Sequence, residues 1–549
     1  MIDGAIDEAA APSWGPAEQR ALAERLRTDS RPWDLVVVGA GITGAGIARD
    51  AALRGLRVLA IDALDVAYGT SSRSSRLVHG GVRYLEQGEI GLVYEALRER
   101  SRLYAAAAHL VRPERFLFPA YAGDRLGPWM LRIGLTLYDT LNFHRGQSHD
   151  FLPVEQALLA EPLLARDGLR GAVQYEDAVT DDARLTLAIL VDARRHGAEV
   201  ATYARVERIA GKRHAHEIEL DDGSIVHAQS VVVAAGPWTS TRLLGRAGEG
   251  LLSLSKGIHL VLRAQDVPVH QPLVIQAPTQ KRILFVVPWG ARTYLGTTDA
   301  PYVGDPGRSG PTEADELELL GLVRRVLPTA RLAPERIVSA WSGVRPLVRS
   351  ADAAPGDTVE LSRKHRIVVN DDGVRGIVGG KLTTYRAMAE EIVDEVVGEL
   401  AKRWPDDRPR PRPCSTHRLP LVPGAPLVAA DLDDPLVADL AARHGPAARD
   451  LAARARGTAA VERIVADLPY RWCEVDHAIA CEGVRHAIDI VRRRLPLVLT
   501  DPRQGGAAIR EVARRLVDAW GGDAADLDDE LDHYRDEVAI ETRRTPAIV

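Results

Sequence analysis

Cysteine is almost missing from this chain: there are three in 549 residues, Cys414, Cys473 and Cys481. They are too few and too badly spaced for a disulfide framework or a zinc site, so a reducing compartment and no metal are expected. No apolar run approaches the ~18 residues that a membrane-spanning helix needs. The stretch Met1 to Ala11 is acidic and alanine-rich. It lacks the basic and apolar blocks of a secretory signal, so a cytoplasmic location is expected, unless the protein attaches peripherally to the inner face of the cell membrane. A dominant charge sign is also lacking: 70 Lys and Arg against 76 Asp and Glu leave a net charge of −6, which argues against a general nucleic-acid binder. There are no internal repeats. What is present, 46% hydrophobic and 27% charged residues, is ordinary globular composition. The length suits roughly three or four domains, or fewer if large α/β units are present.

Pro16 to Ser30 reads as a short exposed helix with Leu22 and Leu26 on one face. From Asp34 the chain reads as a short buried strand running into G-x-G-x-x-G at Gly39, Gly41 and Gly44. A helix pattern continues to Arg54, Leu56 to Ile61 gives a second strand, and Asp62 ends it. An acid about twenty residues beyond the glycines belongs at a ribose. The glycines allow a tight turn and close approach to a pyrophosphate, and the helix N-terminus offers partial positive charge. This is a complete βαβ dinucleotide fingerprint.

The next segment, Gly69 to Glu86, fits neither a helix nor a strand pattern. Thr70, Ser71 and Ser75 supply hydroxyls, Gly80 permits close approach of backbone to a flat ligand, and His79, Arg83 and Tyr84 follow. Alone it would be a surface loop. Directly after the second strand it lies where the dinucleotide must lie, and becomes a ligand loop.

The string GTSSRSSRLVHGGVRYLE, preceded by that fingerprint, resembles the FAD-dependent glycerol-3-phosphate dehydrogenases, the aerobic respiratory family. The resemblance is strong from Trp33 to about Glu399. It implies an α/β fold: an FAD-binding Rossmann-like domain of the glutathione-reductase and D-amino-acid-oxidase kind, an inserted β-rich substrate domain and a C-terminal helical domain. The expected boundaries are 1–31 for a tail and short helix and 32–400 for the oxidoreductase region. Within the latter, FAD-binding segments cover about 32–100, 180–250 and 340–400, and substrate segments about 101–179 and 251–339. Pro405 to Pro413 reads as a stiff polar linker within 401–426, and 427–549 as a helical cap. In that cap Asp489-Ile-Val-Arg-Arg-Arg-Leu-Pro-Leu497 departs from the family's Arg-Arg-Thr-Arg-Leu pattern, and no function is carried over from it.

By the same resemblance Val206 reaches the adenosine end through its backbone. Gly236, at the end of the apolar run Ser230 to Ala235, stops a strand where a ligand must pass. Gly380, Lys381, Leu382 and Thr383 open a helix whose N-terminus points at the flavin's pyrimidine edge, with Thr383 and Thr384 as caps. Trp129, Met130, Leu131, Ile133, Leu135 and Leu137 form an apolar stretch near Arg125 and Arg132. It suits either a membrane interface or a helix buried in the substrate domain.

The implied chemistry is oxidation of sn-glycerol 3-phosphate to dihydroxyacetone phosphate by hydride transfer to FAD, with a membrane quinone as electron acceptor and a homodimer allowed. Arg345 and Arg363 are the expected phosphate clamp, with Arg83 and Lys381 nearby, because a guanidinium binds phosphate bidentately and keeps its charge. His79 is the expected base, its pKa depressed by neighbouring cations, with His259 as its rival and Tyr84 orienting the substrate hydroxyl. Alternatives are an oxygen-using glycerol-3-phosphate oxidase and a non-catalytic flavin-binding redox sensor. An amine or amino-acid oxidase has no use for the arginine pair, and an NAD dehydrogenase leaves the Gly236 and Gly380 motifs unexplained.

Overall fold

The computed structural model describes residues 12–85, 88–142, 148–239, 241–277, 282–349, 364–542 and 548, the side chains of Arg83 and Thr241 excepted. The strand Trp33–Val38 is buried along its whole length, as a run of β-branched residues covered on both faces must be. It pairs in parallel with Val58–Ile61 on one side and Ile225–Val233 on the other, with Val38 opposite both Ile61 and Val233. Glu199–Ala201 and Arg375–Val378 extend this sheet in parallel, and Arg366–Val369 closes one edge antiparallel. The hairpin Val206–Lys212 and Ala215–Leu220 pairs with the first half of Ile225–Val233. The helices Ile42–Leu53, Asp182–Arg195 and Tyr385–Leu400 cover one face through Ile47, Ala51, Leu185, Ile189, Ile392 and Val393, all inaccessible to solvent.

A second sheet is built largely from antiparallel pairs. Its long strands are Val111–Tyr121, Leu169–Thr180, Leu252–Arg263 and Ile337–Val348. Ile337–Val348 pairs with Leu252–Arg263 from Ile337 to Val348, so residues 340–348 belong to this sheet. The short strand Leu77–Val78 also joins it, opposite Val179 and Ala178. The ligand loop therefore follows a strand of the first sheet and contributes a strand to the second, which brings both domains to one place.

Two readings change in three dimensions. The helix Pro16–Thr28 is not free at the surface: Leu22 and Leu26 are buried with Trp33, Val36 and Val226. The proline-rich segment is not a spacer across a gap. Arg408 stacks on Trp404 and pairs with Asp34 at 2.6 Å, and the Arg412 amide donates to the carbonyl of Arg54 at 2.9 Å. Beyond it the chain is helical, and its apolar faces merge with the second sheet: Trp341, Phe285 and Val338 share one core with Val475, Ile488, Leu497, Ile509 and Tyr534. A shared core of this kind makes the C-terminal helices part of the same packed body.

Candidate active site

The dinucleotide fingerprint lines a cavity of about 610 Å³. Gly39, Gly41 and Thr43 form its floor, at the N-terminus of the helix Ile42–Leu53. A Cβ on Gly44 would collide with the carbonyl of Gly39, so only glycine lets helix and strand approach there. The Ile42 amide donates to Ser71 Oγ at 2.9 Å, which sets the serine hydroxyl at the positive end of the helix. Asp62, in the wall, accepts from the amides of Ala40 at 2.6 Å and Leu64 at 3.0 Å. Burial pushes its carboxyl up to about 6 against the pull of those amides. Thr70, Val206, Gly236, Gly380, Lys381 and Leu382 complete the wall, so ten of the sequence-predicted cofactor residues meet here. A helix N-terminus, a ribose-type acid and glycine turns on the far side fit an extended dinucleotide.

Beyond Leu382 the loop carries the reactive groups. Thr383 Oγ1 accepts from the His79 amide and donates to the His79 carbonyl, both at 3.2 Å. The threonine thus clamps the His79 backbone rather than lining the cavity or capping the helix, and the helix Tyr385–Leu400 has no side-chain cap. Lys381 Nζ lies 3.6 Å from the centroid of the Tyr84 ring, which places a phenol beside a cation of the cavity wall. The His79 ring is 6.3 Å from that of Phe285, edge to face. The side chain of Arg83 and all of Arg363 lie outside the described residues.

Arg345 is held by Thr297 Oγ1 at 2.8 Å and by Asp299 at 3.5 Å, and its neighbours Val344 and Pro346 meet the loop and the cavity: Thr70 donates to the Val344 carbonyl at 2.6 Å. His259 and Ser75 do not line the cavity. His259 is 2% exposed, stacked on Trp341 at 4.6 Å, with Nε2 2.9 Å from Ser75 Oγ. Burial first, then Arg345 and Arg76, hold its pKa well below the usual histidine range, and it is walled in between the two strands that pair with its own. Ser75 spends its hydroxyl on that histidine, so Ser74 lines the cavity in its place.

Sequence reasoning missed the support behind the loop. Tyr138 accepts from the Gly80 amide at 2.9 Å and donates to Asp177 at 3.0 Å, and Asp177 is in turn paired with buried Arg100. A Cβ on Gly80 would sit 2.5 Å from the Tyr138 oxygen, which is why glycine is needed. Tyr138 is a tyrosine in an apolar run, and nothing local distinguishes it from a core residue. The arginine run Arg492 to Arg494, left without a function, is paired throughout: Arg493 and Arg494 both pair with Asp65, and Arg492 with Glu541. Among the described residues two clusters gather metal-ligand types, Glu390 with Cys414 and His417, and His444 with His477 and Glu482. Arg386 pairs with Glu390 and Arg184 with Glu482, so cations already stand beside both.

Comparison with known proteins agrees with this geometry. Residues 34–394 match the family of FAD dependent oxidoreductases, and residues 378–527 match the C-terminal domain of alpha-glycerophosphate oxidase. The chain is 34% identical to glycerol-3-phosphate dehydrogenase 2 of Mycobacterium tuberculosis over 556 residues, covering 96% of this chain and 91% of that one. It is 37% identical to the aerobic glycerol-3-phosphate dehydrogenase of Staphylococcus epidermidis, over 68% of each chain. The glycerol-3-phosphate dehydrogenase from Bacillus halodurans, solved with FAD, superposes with a TM-score of 0.75 at 26% identity, over 96% of this chain and 98% of that one. The chain therefore belongs to the FAD dependent oxidoreductases, within the family of the FAD-dependent glycerol-3-phosphate dehydrogenases.

Proposed function

We propose that this protein oxidises sn-glycerol 3-phosphate to dihydroxyacetone phosphate and passes the electrons to a membrane quinone. The observation that carries the reading is the loop itself: Thr70 and Ser71 stand in the dinucleotide cavity, and, a few residues on, Tyr84 meets Lys381 of the cavity wall while the His79 backbone is held by Thr383. FAD, when bound, supplies the hydride acceptor. Gly41, Thr43, Ser71 and Asp62 hold its pyrophosphate and ribose, and Gly236 and Gly380 allow it to pass. Lys381 and Arg345, with Arg83 and Arg363, bind the substrate phosphate. Tyr84 orients the C2 hydroxyl, and His79 takes its proton as the C2 hydrogen leaves with both electrons of the C–H bond, so that a ketone remains.

Support for the quinone comes from the helix Pro128–Leu141. Its inner face buries Leu131, Leu135 and Tyr138, whereas Trp129, Met130, Ile133 and Leu137 are 73%, 57%, 65% and 38% exposed on the outer face. Arg132 lies 5.8 Å from the Trp129 ring. An apolar face flanked by a cation suits a helix lying in a membrane surface, and among the described residues no helix is long and apolar enough to cross a membrane.

The test is to purify the protein, record its visible spectrum and repeat it anaerobically with sn-glycerol 3-phosphate. A yellow protein that bleaches, turns over a quinone analogue and makes little peroxide fits the reading. Stoichiometric peroxide assigns oxygen as the acceptor, and a spectrum that does not change leaves a redox sensor.

A further inference from the structure

The C-terminal helix Ala524–Thr542 runs past both matched family segments, which end at residues 394 and 527. Two of its side chains, Glu537 and Ile540, nevertheless stand in the wall of the dinucleotide cavity beside Asp62, Leu64, Tyr68 and Trp238. No fingerprint residue explains them.

The helix is bolted in place from behind the ligand loop. Glu541 is 5% exposed and accepts from Arg492 Nε at 2.7 Å and from Arg73 Nε at 3.3 Å. Arg492 also donates to the Ser72 carbonyl at 3.1 Å. One turn earlier, the Tyr68 hydroxyl donates to Glu537 at 3.1 Å, and the Arg73 guanidinium covers the Tyr68 ring at 4.6 Å. Arg493 donates to Asp65 at 2.5 Å. Asp65, Tyr68, Ser72 and Arg73 all belong to the segment after the second strand, whose other side presents Thr70 and Ser71 to the cavity. Buried ion pairs are rigid because losing one partner leaves the other charged and desolvated, so the loop cannot shift without the helix.

We propose that the last turns of this helix are a built part of the FAD site: Ile540 and Glu537 close the cavity over the cofactor, and Glu541 is the positioning residue that holds them and the loop together. Ile540 excludes water. Glu537 offers an acceptor that suits a cofactor hydroxyl, while the phosphates are served by the helix N-terminus at Ile42. Retention of FAD then requires a docked C-terminal helix and, by linkage, bound FAD holds the helix down. The inference rests on FAD as the cofactor and on no assignment of substrate or acceptor.

The experiment titrates apoprotein with FAD, following quenching of flavin fluorescence, for the parent and for Ile540→Ala, Glu537→Gln and Glu541→Gln, with the melting temperature of each apoprotein as control. Ile540→Ala and Glu537→Gln leave the ion-pair lattice intact. Each is expected to weaken FAD by about tenfold while the apoprotein melts like the parent, and Glu541→Gln is expected to weaken it further. Hydrogen exchange over residues 524–542 is expected to slow when FAD is added to the parent. Dissociation constants within twofold of the parent for Ile540→Ala and Glu537→Gln, or exchange in that helix that ignores FAD, overturn the proposal. A parent that takes up no FAD removes its basis as well as the cofactor assignment.

Discussion

The phenolic oxygen of Tyr138 stands 2.9 Å from the amide nitrogen of Gly80, so a helix whose outer face is exposed and apolar grips, with its inner face, the peptide that follows His79. Burial and the Asp177 carboxylate push the Tyr138 pKa well up, and the phenol stays protonated, donating to Asp177 while accepting from Gly80.

Tyr138→Phe keeps the ring and removes both bonds. The buried Gly80 amide then keeps only a long bond to Asp177 at 3.4 Å, a loss of up to about 1–3 kcal/mol, and the His79 peptide loses its support on one side. Anaerobic flavin reduction is expected to slow about tenfold with the substrate KM little changed. Parental reduction rates in a variant that merely melts lower would confine Tyr138 to scaffolding.

His79→Asn keeps a polar side chain and removes the proposed base. Stopped-flow flavin reduction is expected to fall by about 10²–10⁴-fold and to lose its rise with pH. Near-normal speed with a normal pH profile would leave His79 only a holding role.

Asp62 is expected to make FAD binding pH-dependent. Its folded carboxyl is pushed up to about 6, above its unfolded value, so the folded apoprotein takes up a proton there as pH falls through that value. A ribose needs the ionised form as its acceptor. The dissociation constant of FAD is therefore expected to be flat above pH 6 and to rise about tenfold per unit below it. Asp62→Asn should bind weakly at every pH, with no such slope; a slope that survives in this variant excludes Asp62 as its source.

Acid sensitivity should appear early. Burial holds His477 down to about 4, below its unfolded value, so the unfolded chain takes up the proton first. The stability is complete above about pH 6.5 and falls between there and about pH 4, by about 2 kcal/mol at pH 5. Below that, Glu474, Glu482 and Glu541, each held down at about 2 by arginine partners acting against burial, lose stability as they protonate. Melting temperatures of His477→Gln measured from pH 7.5 to 5 should decline less than the parent's. An equal decline would place the acid-sensitive group elsewhere.

Much of the fold was legible because its requirements are local. A strand of β-branched residues, glycines where backbone must meet backbone, and an acid at the end of the next strand are set by steric and hydrogen-bonding needs within a few tens of residues. The loop from Gly69 to Glu86 was equally readable, since its neighbours in sequence place it at the cofactor. The burial of His259 was not legible because depth in a sheet depends on strands distant in sequence: Trp341 stacks on it only once Ile337–Val348 has paired with Leu252–Arg263.

What the sequence by itself determined is therefore the dinucleotide fold, the cofactor loop and the chemistry that their residue types allow. Only the tertiary structure decided what braces them. Arg492, Arg493 and Arg494 look like a solvated basic run until Asp65 and Glu541 arrive from opposite ends of the chain. Arginine carries no mark of its partner, and a buried charge finds its counter-charge only through the path of the whole backbone.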